Sequence, residues 1–386
     1  MNVPKIRYDN FTKEWEKVKL SSQASFLQGL TYTPNDVSND GTIVLRSSNI
    51  QNSMVDYNDI VRVNIIIPEK LKIKENDILM CVRNGSKSLV GKTAWLSKNE
   101  EKCTWGAFMN IIRPKEKNKF VYYYLNSKYF YNHVWKDLGT ATVNQITKQT
   151  LESCYLNIPS IEEQEKISNT LSLLDQKIKL QSKKIEDLKL FKKGLHDKLF
   201  NEVTGNDYLL SDIAVFENGK GHENIINENG KYILINSKFI STEGNVTKKC
   251  SEQLTPLFKN DITMVMSDLP NGKALAKCYY IDENNKYSLN QRICKIKVKD
   301  DSIINSKYLF YLLNRNSYYL RFDDGVNQTN LKKDDILSLN LVLPSIKEQE
   351  RDSKTLTIID NFIEKENNKL SKLILLKKGL MQSMFV

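Results

Sequence analysis

Arginine, asparagine and glutamine carry paired donors and acceptors that match the edges of guanine and adenine, whereas lysine and serine more often hold phosphate. The sequence places these types in short runs between apolar segments. Arg46, Ser47 and Asn49 form one run; Arg83, Asn84, Lys87 and Lys92 form a second that contains glycine. Asn236, Ser237 and Lys238 stand where the first run would recur, and Ser267, Asp268, Asn271 and Lys273 where the second would. Asn290, Gln291 and Arg292 cluster before an apolar stretch. Thr140, Thr142, Asn144, Gln145 and Lys148 make a further run, answered by Asn327, Gln328, Asn330 and Lys332. Because it is partly shared, this run suits common phosphate contact better than sequence-specific reading; a turn that caps the following strand is the alternative. Taken singly, each of these residues also fits an ordinary solvated loop.

The residue types for bond-breaking chemistry do not assemble in the same way. The stretch GSKSLVGKT at 85–93 resembles a phosphate loop, but five residues separate Gly85 from Gly91 where the pattern needs four. Its counterpart, Asn271-Gly272-Lys273-Ala274, has no hydroxyl after the lysine. No Asn-Pro-Pro-aromatic run for amino-methyl transfer is present, nor a paired-His motif or a nuclease carboxylate–lysine cluster. His133, His196 and His222 have no nucleophile companions, and the six cysteines form no Cys-x-x-Cys pair. The expectation is a chain with no catalytic residues, no metal site and no cofactor of its own, in a reducing cytoplasmic setting.

Bulk composition agrees. A formal net charge of +11 over 386 residues favours polyanions, because Lys and Arg displace counterions condensed on phosphate. Heavy use of Lys, Asn and Ile would also follow from an AT-rich genome. No run approaches the ~18 apolar residues of a membrane span, and the first residues lack the apolar core of a secretion signal.

The elements that must position the polar runs are repeated. IPSIEEQE at 158–165 returns 185 residues later as LPSIKEQE at 343–350. At the same offset Leu171, Leu174, Asp175 and Ile178 fall on Leu356, Ile359, Asp360 and Ile363, and Lys192-Lys193-Gly194-Leu195 on Lys377-Lys378-Gly379-Leu380. Upstream, Val143-Asn144-Gln145 matches Val326-Asn327-Gln328, and Asn76-Asp77-Ile78 matches Asn260-Asp261-Ile262. The period is too long for a solenoid unit of about 20–50 residues. It describes two fused halves, each a globular block followed by a helix, and such a pseudo-two-fold object suits a target that itself has two halves.

Each helix opens on Pro-Ser with Glu three residues after the Ser, a capping box at Ser160/Glu163 and again at Ser345/Glu348. Residues 162–200 as one helix would span roughly 58 Å at about 1.5 Å per residue, with Gly194 and Gly379 as points of bending. Apolar residues follow a seven-residue rhythm: Ile167, Leu171, Leu174, Ile178, Ile185 and Leu188, then Leu356, Ile359, Ile363, Leu370 and Leu373. The narrow stripe predicts that the two helices pair with each other, antiparallel, as a coiled coil. Gln181 and Glu366 interrupt one slot, Lys192 and Lys377 another, and Asp352 replaces Ile167. The blocks 1–157 and 204–342 read as mixed α and β, with strands near 42–46, 61–67, 77–82 and 108–112, then 232–235, 262–266, 274–281 and 292–298. One short aromatic helix follows in each, at 120–135 and 307–319, and then a strand near 153–158 and 338–343. The row Tyr122, Tyr123, Tyr124, Tyr129, Phe130 and Tyr131 belongs to the core, since apolar faces of short helices pack inward; base stacking is the alternative.

Two variable blocks, each followed by a helix opening with Pro-Ser-Ile-x-Glu-Gln-Glu, resemble the specificity subunit of type I restriction–modification enzymes. The Val-Asn-Gln stretches and the Lys-Lys-Gly-Leu near each helix end are similar to that family too, over essentially the whole chain. The resemblance implies an α+β chain of two target recognition domains, 1–157 and 204–342, with a central conserved helix, 158–203, and a C-terminal one, 343–386. It implies that each domain reads half of a split site in double-stranded DNA. The helices would set the unread spacer and dock two methyltransferase subunits, and restriction subunits would join them. S-adenosylmethionine, ATP and magnesium would belong to those partners. Two alternatives stand beside this: a recognition chain for a fused methyltransferase–nuclease partner, and a coiled-coil scaffold with no DNA role.

Overall fold

The computed structural model describes residues 3–138 and 144–386. The chain divides into two compact units, Met1–Lys183 with Asn367–Val386 (unit 1) and Lys184–Glu366 (unit 2). The division falls inside both long helices, Ile161–Asn201 and Ile346–Ser383, so each unit is a globular block carrying part of each helix.

Unit 1 is built on an antiparallel sheet in the order Ala24–Gln28, Met109–Pro114, Ile78–Cys81, Thr93–Trp95. All four residues of Ile78–Cys81 are buried, as a central strand covered on both faces requires. A second sheet joins Cys103–Trp105 in parallel to Thr42–Leu45, and a two-stranded ribbon pairs Glu16–Lys19 with Tyr155–Ile158. Unit 2 repeats the plan. Its sheet runs Ala214–Asn218, Ile293–Val298, Ile262–Val265, Cys278–Tyr280; Tyr232–Ile235 lies parallel to Tyr287–Leu289; Asn206–Leu209 pairs with Asn340–Leu343. The Ile112↔Ile78 register recurs as Ile296↔Ile262.

The single aromatic helix expected in each block is two. In unit 1 the chain breaks between Phe120–Leu125 and Lys128–Leu138, where the Asn126 amide donates to the Tyr122 carbonyl and competes with the helix ladder. In unit 2 it breaks between Ser306–Leu313 and Ser317–Leu320, where Asn316 donates to Leu312 and its oxygen caps the second helix. Tyr122, Tyr123, Tyr124 and Phe130 are buried in a core shared with Ile167, Leu171 and Phe385, which leaves them no face for a base.

The helix openings explain the repeated motif. Ser345 and Glu348 form one half of the expected box: the Ser345 backbone N–H and hydroxyl both donate to the Glu348 carboxylate, at 3.1 and 2.7 Å, while the Glu348 N–H goes to the Ser345 backbone carbonyl rather than to its hydroxyl. The first copy differs. Glu163 turns inward to a bidentate pair with Arg7, both bonds 2.8 Å, and the box is not reciprocal. The glutamine of the motif is structural in both copies. Gln349, fully buried, donates to Ile303 and Pro344 carbonyls and accepts from the Asn305 N–H; Gln164 donates to the Pro159 carbonyl and accepts from Asn118.

Within each unit the long helices touch. In unit 1 Lys377 pairs with Asp175. In unit 2 Lys184 pairs with Glu366 and Lys192 with Asp360, so position rises along one helix as it falls along the other. Ile167, Leu171, Leu174, Ile185, Leu356 and Ile359 are buried; Ile178, Leu188, Ile363, Leu370 and Leu373 are half-buried. Helix assignment continues through Gly194 and Gly379. Among the described residues no helix is long and apolar enough to cross a membrane.

Candidate nucleic-acid interface

Backbone hydrogen bonds between sequence-distant loops build one surface in unit 1. The Ile146 N–H donates to the Val82 carbonyl at 2.8 Å and the Asn84 N–H to Asn144 at 3.3 Å, and Arg83 bridges Gln145. The Asn144 amide donates to the Gly85 carbonyl at 3.1 Å, and the Asn84 amide donates to the Ser47 hydroxyl at 3.0 Å. Three expected runs therefore meet: 46–49, 83–92 and 144–148. Arg83, Lys87, Gln145 and Lys148 are exposed there. The Arg83 guanidinium lies 5.1 Å from the Phe108 ring centroid, and Phe108 is itself 57% exposed. Phe108 was not singled out from the sequence, because an aromatic at a strand edge carries no mark of facing outward. Lys87 caps the Trp135 ring at 4.6 Å, and Lys92 is half-buried behind the loop. Thr140 and Thr142 lie outside the described residues.

Other members of the first run brace the loop. Asn49 is fully buried, its amide donating to the Asp56 and Asp59 carbonyls and its oxygen accepting from the Arg46 N–H. Arg46 pairs with Asp59 at 2.8 Å. The Ser48 hydroxyl and then the Arg46 charge hold the Asp59 carboxyl below its ordinary value. Beside this surface, a groove of about 350 Å³ is lined, among the described residues, by Lys70, Lys148, Gln28, Asn110 and Gln145 together with apolar side chains. Such a lining suits contact with an anion.

Unit 2 forms the corresponding junction. The Leu331 N–H donates to the Met266 carbonyl at 2.8 Å, as Ile146 does to Val82. Ser267–Asp268 pairs with Thr329–Asn330, and the Gln328 amide donates to the Ser267 hydroxyl at 2.7 Å. The Asp268 carboxylate orders the loop by accepting from the Leu269, Ala274 and Leu275 N–H groups. The Asp324 carboxyl, held below its ordinary value first by the Asn327 N–H, shapes the facing turn. Lys238, Asn271, Lys273, Gln291, Arg292, Asn327, Gln328 and Lys332 are exposed. Asn236 is the N-cap of the short helix Ser237–Ser241, and Gln291 is tied to Glu223.

The two junctions share a backbone and differ in side chains. The Met266 N–H donates to the Arg292 carbonyl just as the Val82 N–H donates to Phe108. Arg292 thus holds the backbone position of Phe108, while Ser267 holds that of Arg83. At these paired positions each junction carries one arginine, Arg83 or Arg292, supplied from a different strand end. Arg292 is left-handed (φ 67°), a conformation that costs a non-glycine residue about 1–2 kcal/mol.

Among the described residues no group of three His, Cys, Asp or Glu side chains is placed to hold a metal ion. The model of the type I restriction modification DNA specificity domain matches residues 12–190 and again 205–374. The specificity subunit of the StySPI type I restriction enzyme from Salmonella potsdam is 24% identical over 96% of this chain and 88% of its own length. The EcoKI specificity subunit of Escherichia coli is 29% identical over 42% of this chain and 36% of its own length. The crystal structure of a type I restriction–modification S subunit from M. genitalium superposes over 100% of this chain and 99% of that one, with a TM-score of 0.63 at 16% identity.

Proposed function

Since the chain belongs to the type I restriction modification DNA specificity family, we propose that each of its units reads one half of a bipartite site in duplex DNA. One observation carries this reading: two units with the same strand plan present, at corresponding backbone positions, polar junctions with different side chains. A shared scaffold with Arg83 and Phe108 in one copy and Ser267 and Arg292 in the other suits two different half-sequences. Arg83, Asn84 and Arg292 are the candidates for base edges; Lys87, Gln145, Lys148, Lys238, Lys273, Gln328 and Lys332 are those for phosphate.

The long helices form an antiparallel coiled coil with pseudo-two-fold symmetry, which sets the unread spacer between half-sites. The seam pattern, the order of the ion pairs and the internal repeat support this. Outward faces of the helices dock two methyltransferase subunits, and restriction subunits join that assembly. Apolar exposure supports the docking, because it recurs at the 185-residue offset: Leu173 and Ile358 are 58 and 46% exposed, Leu190 and Leu375 70 and 66%, Phe191 and Leu376 61 and 51%. Two copies of one surface call for two copies of one partner. Adenine methylation, ATP-driven steps and their cofactors, S-adenosylmethionine, ATP and magnesium, reside in the partners. This chain contributes recognition and spacing.

The test is a map of methylated adenines in DNA from cells expressing the chain with its methyltransferase. A single bipartite motif with a fixed spacer is expected. Exchange of residues 1–157 for a relative's block should change one half of the motif alone. Methylation spread over unrelated sequences, or both halves changing in that exchange, refutes the reading.

A further inference from the structure

The Asp175 carboxylate in unit 1 is held from two directions. Its Oδ1 accepts from the Lys377 ammonium of the second long helix at 2.5 Å, and its Oδ2 from the Tyr123 hydroxyl of Phe120–Leu125 at 2.8 Å. The ammonium also sits 5.7 Å from the Tyr123 ring centroid. One carboxylate therefore ties both long helices to the globular block. Unit 2 repeats the arrangement with the helices exchanged. Asp360 of the second helix accepts from Lys192 of the first at 2.5 Å and from Tyr311 at 2.8 Å, and Lys192 lies 5.3 Å from the Tyr311 ring centroid. The surroundings repeat as well. Lys119 lies over Trp95 at 5.4 Å and Lys307 over Tyr280 at 4.0 Å, with Ser172 and Thr357 hydroxyls alongside, 3.4 Å from the Lys119 ammonium and 3.1 Å from the Tyr311 hydroxyl.

Lys192 and Lys377 occupy seam rows that are otherwise apolar, the interruptions seen in the sequence. An apolar seam repeating every seven residues re-forms its contacts after a slip of one heptad. The lysines do not: the same slip carries each about 10 Å from its aspartate at about 1.5 Å per residue. The Lys192 and Lys377 side chains are 25 and 21% exposed, so a slipped register leaves two partly buried ammonium groups without partners. A polar seam residue that costs stability yet selects register is the best-attested use of such groups.

We propose that Asp175–Lys377 and Asp360–Lys192 lock the register of the helix pair and, on the reading under Proposed function, are positioning residues for the spacer between half-sites. A one-heptad slip corresponds to about three base pairs at about 3.4 Å each.

Register is read in the isolated chain by spin labels on Leu173→Cys and Ile374→Cys, both exposed and both in unit 1; the six native cysteines are buried. The parent should show one narrow distance. Asp175→Lys with Asp360→Lys should broaden or split it, and adding Lys192→Asp with Lys377→Asp should restore it. Asp175→Asn with Asp360→Asn, which retains shape and the tyrosine bonds, should also broaden it if the reversals fail to fold. A narrow, unmoved distance in all folded variants overturns the lock. The same variants expressed with the methyltransferase should lose selectivity for one spacer length by at least about tenfold with half-sites unchanged, and the fourfold variant should regain it. A moved label distance with an unchanged spacer refutes the helices as spacer, not the lock; loss of both half-sites in the parent refutes the recognition reading itself.

Discussion

Replacing one aspartate in each unit by asparagine should have unequal consequences, although both stand in the same Asn-Asp-Ile turn. Asn76 and Asn260 are left-handed there, with φ 73° and 74°, and Asp77 and Asp261 are each 1% exposed. Asp77 accepts a bidentate pair from Arg113 at 2.7 and 2.8 Å and a third bond from the Lys74 N–H at 2.8 Å. Among the described residues Asp261 accepts only the Phe258 N–H at 2.8 Å, and its Oδ1 has no partner; the strand register puts Lys297 where unit 1 has Arg113. Asp77→Asn breaks a buried ion pair and should cost unit 1 about 3 kcal/mol. Asp261→Asn removes an incompletely paired buried charge and should change unit 2 by less than about 1 kcal/mol, or stabilise it, at neutral pH. Burial raises the Asp261 carboxyl above its ordinary value of 3.8, so the folded state holds that proton more tightly than the unfolded chain. The group's contribution therefore improves as pH falls and is lost as pH rises through the folded value. Any advantage of the asparagine is full above that value and fades toward 3.8. Urea titration, read by hydrogen-exchange mass spectrometry of peptides from each unit, measures both. For Asp77→Asn the midpoint should move down by about 1 M or more in unit 1. Equal losses from the two substitutions, or an Asp261→Asn difference that ignores pH, would refute the argument.

Arg292→Gly should leave unit 2 as stable or about 1 kcal/mol more stable, since glycine accepts the left-handed backbone; on the reading under Proposed function it should also relax one half of the methylated motif, and Arg292→Ala should relax the motif without the gain. Gln349→Leu strands the Ile303 and Pro344 carbonyls and the Asn305 N–H and should cost about 2–3 kcal/mol in the same urea assay, whereas no loss would remove the glutamine from the structural account of the motif. A Cβ at Gly194 or Gly379 meets nothing within 4 Å, so Gly194→Ala and Gly379→Ala should each stabilise the isolated chain by about 1 kcal/mol on thermal unfolding. Weaker co-purification of the methyltransferase with either alanine variant would place a partner on that face.

The duplication and the two long helices were legible in the residues because they rest on local periodicity and on a repeat at constant offset. A seven-residue rhythm needs no tertiary information to specify a stripe, and Pro-Ser before it specifies a helix start. Most of the first-block aromatic row was legible as core for the same reason: Tyr122, Tyr123, Tyr124 and Phe130 are buried. The reading was weaker where side chains choose between local and distant partners. Glu163 and Glu348 stand in the same motif, yet one leaves its cap for Arg7, a residue 156 positions away. The lysines read as flaws in the seam are ion-pair partners, and nothing in their spacing names Asp175 or Asp360.

What the sequence determined by itself is thus the duplication: two similar α/β blocks and two long helices, rich in residues suited to polyanions, whereas each compact unit takes part of both helices. Only the tertiary structure decided which polar residues form a surface. It withdrew Asn49 into the loop, joined Arg83 to Gln145 across sixty residues of chain, and set Arg292 at the backbone position of Phe108. The physical reason is range. Helix and strand patterns follow from neighbours a few residues apart, whereas an interface is a juxtaposition of loops, and long-range hydrogen bonds between strand ends determine which side chain reaches solvent.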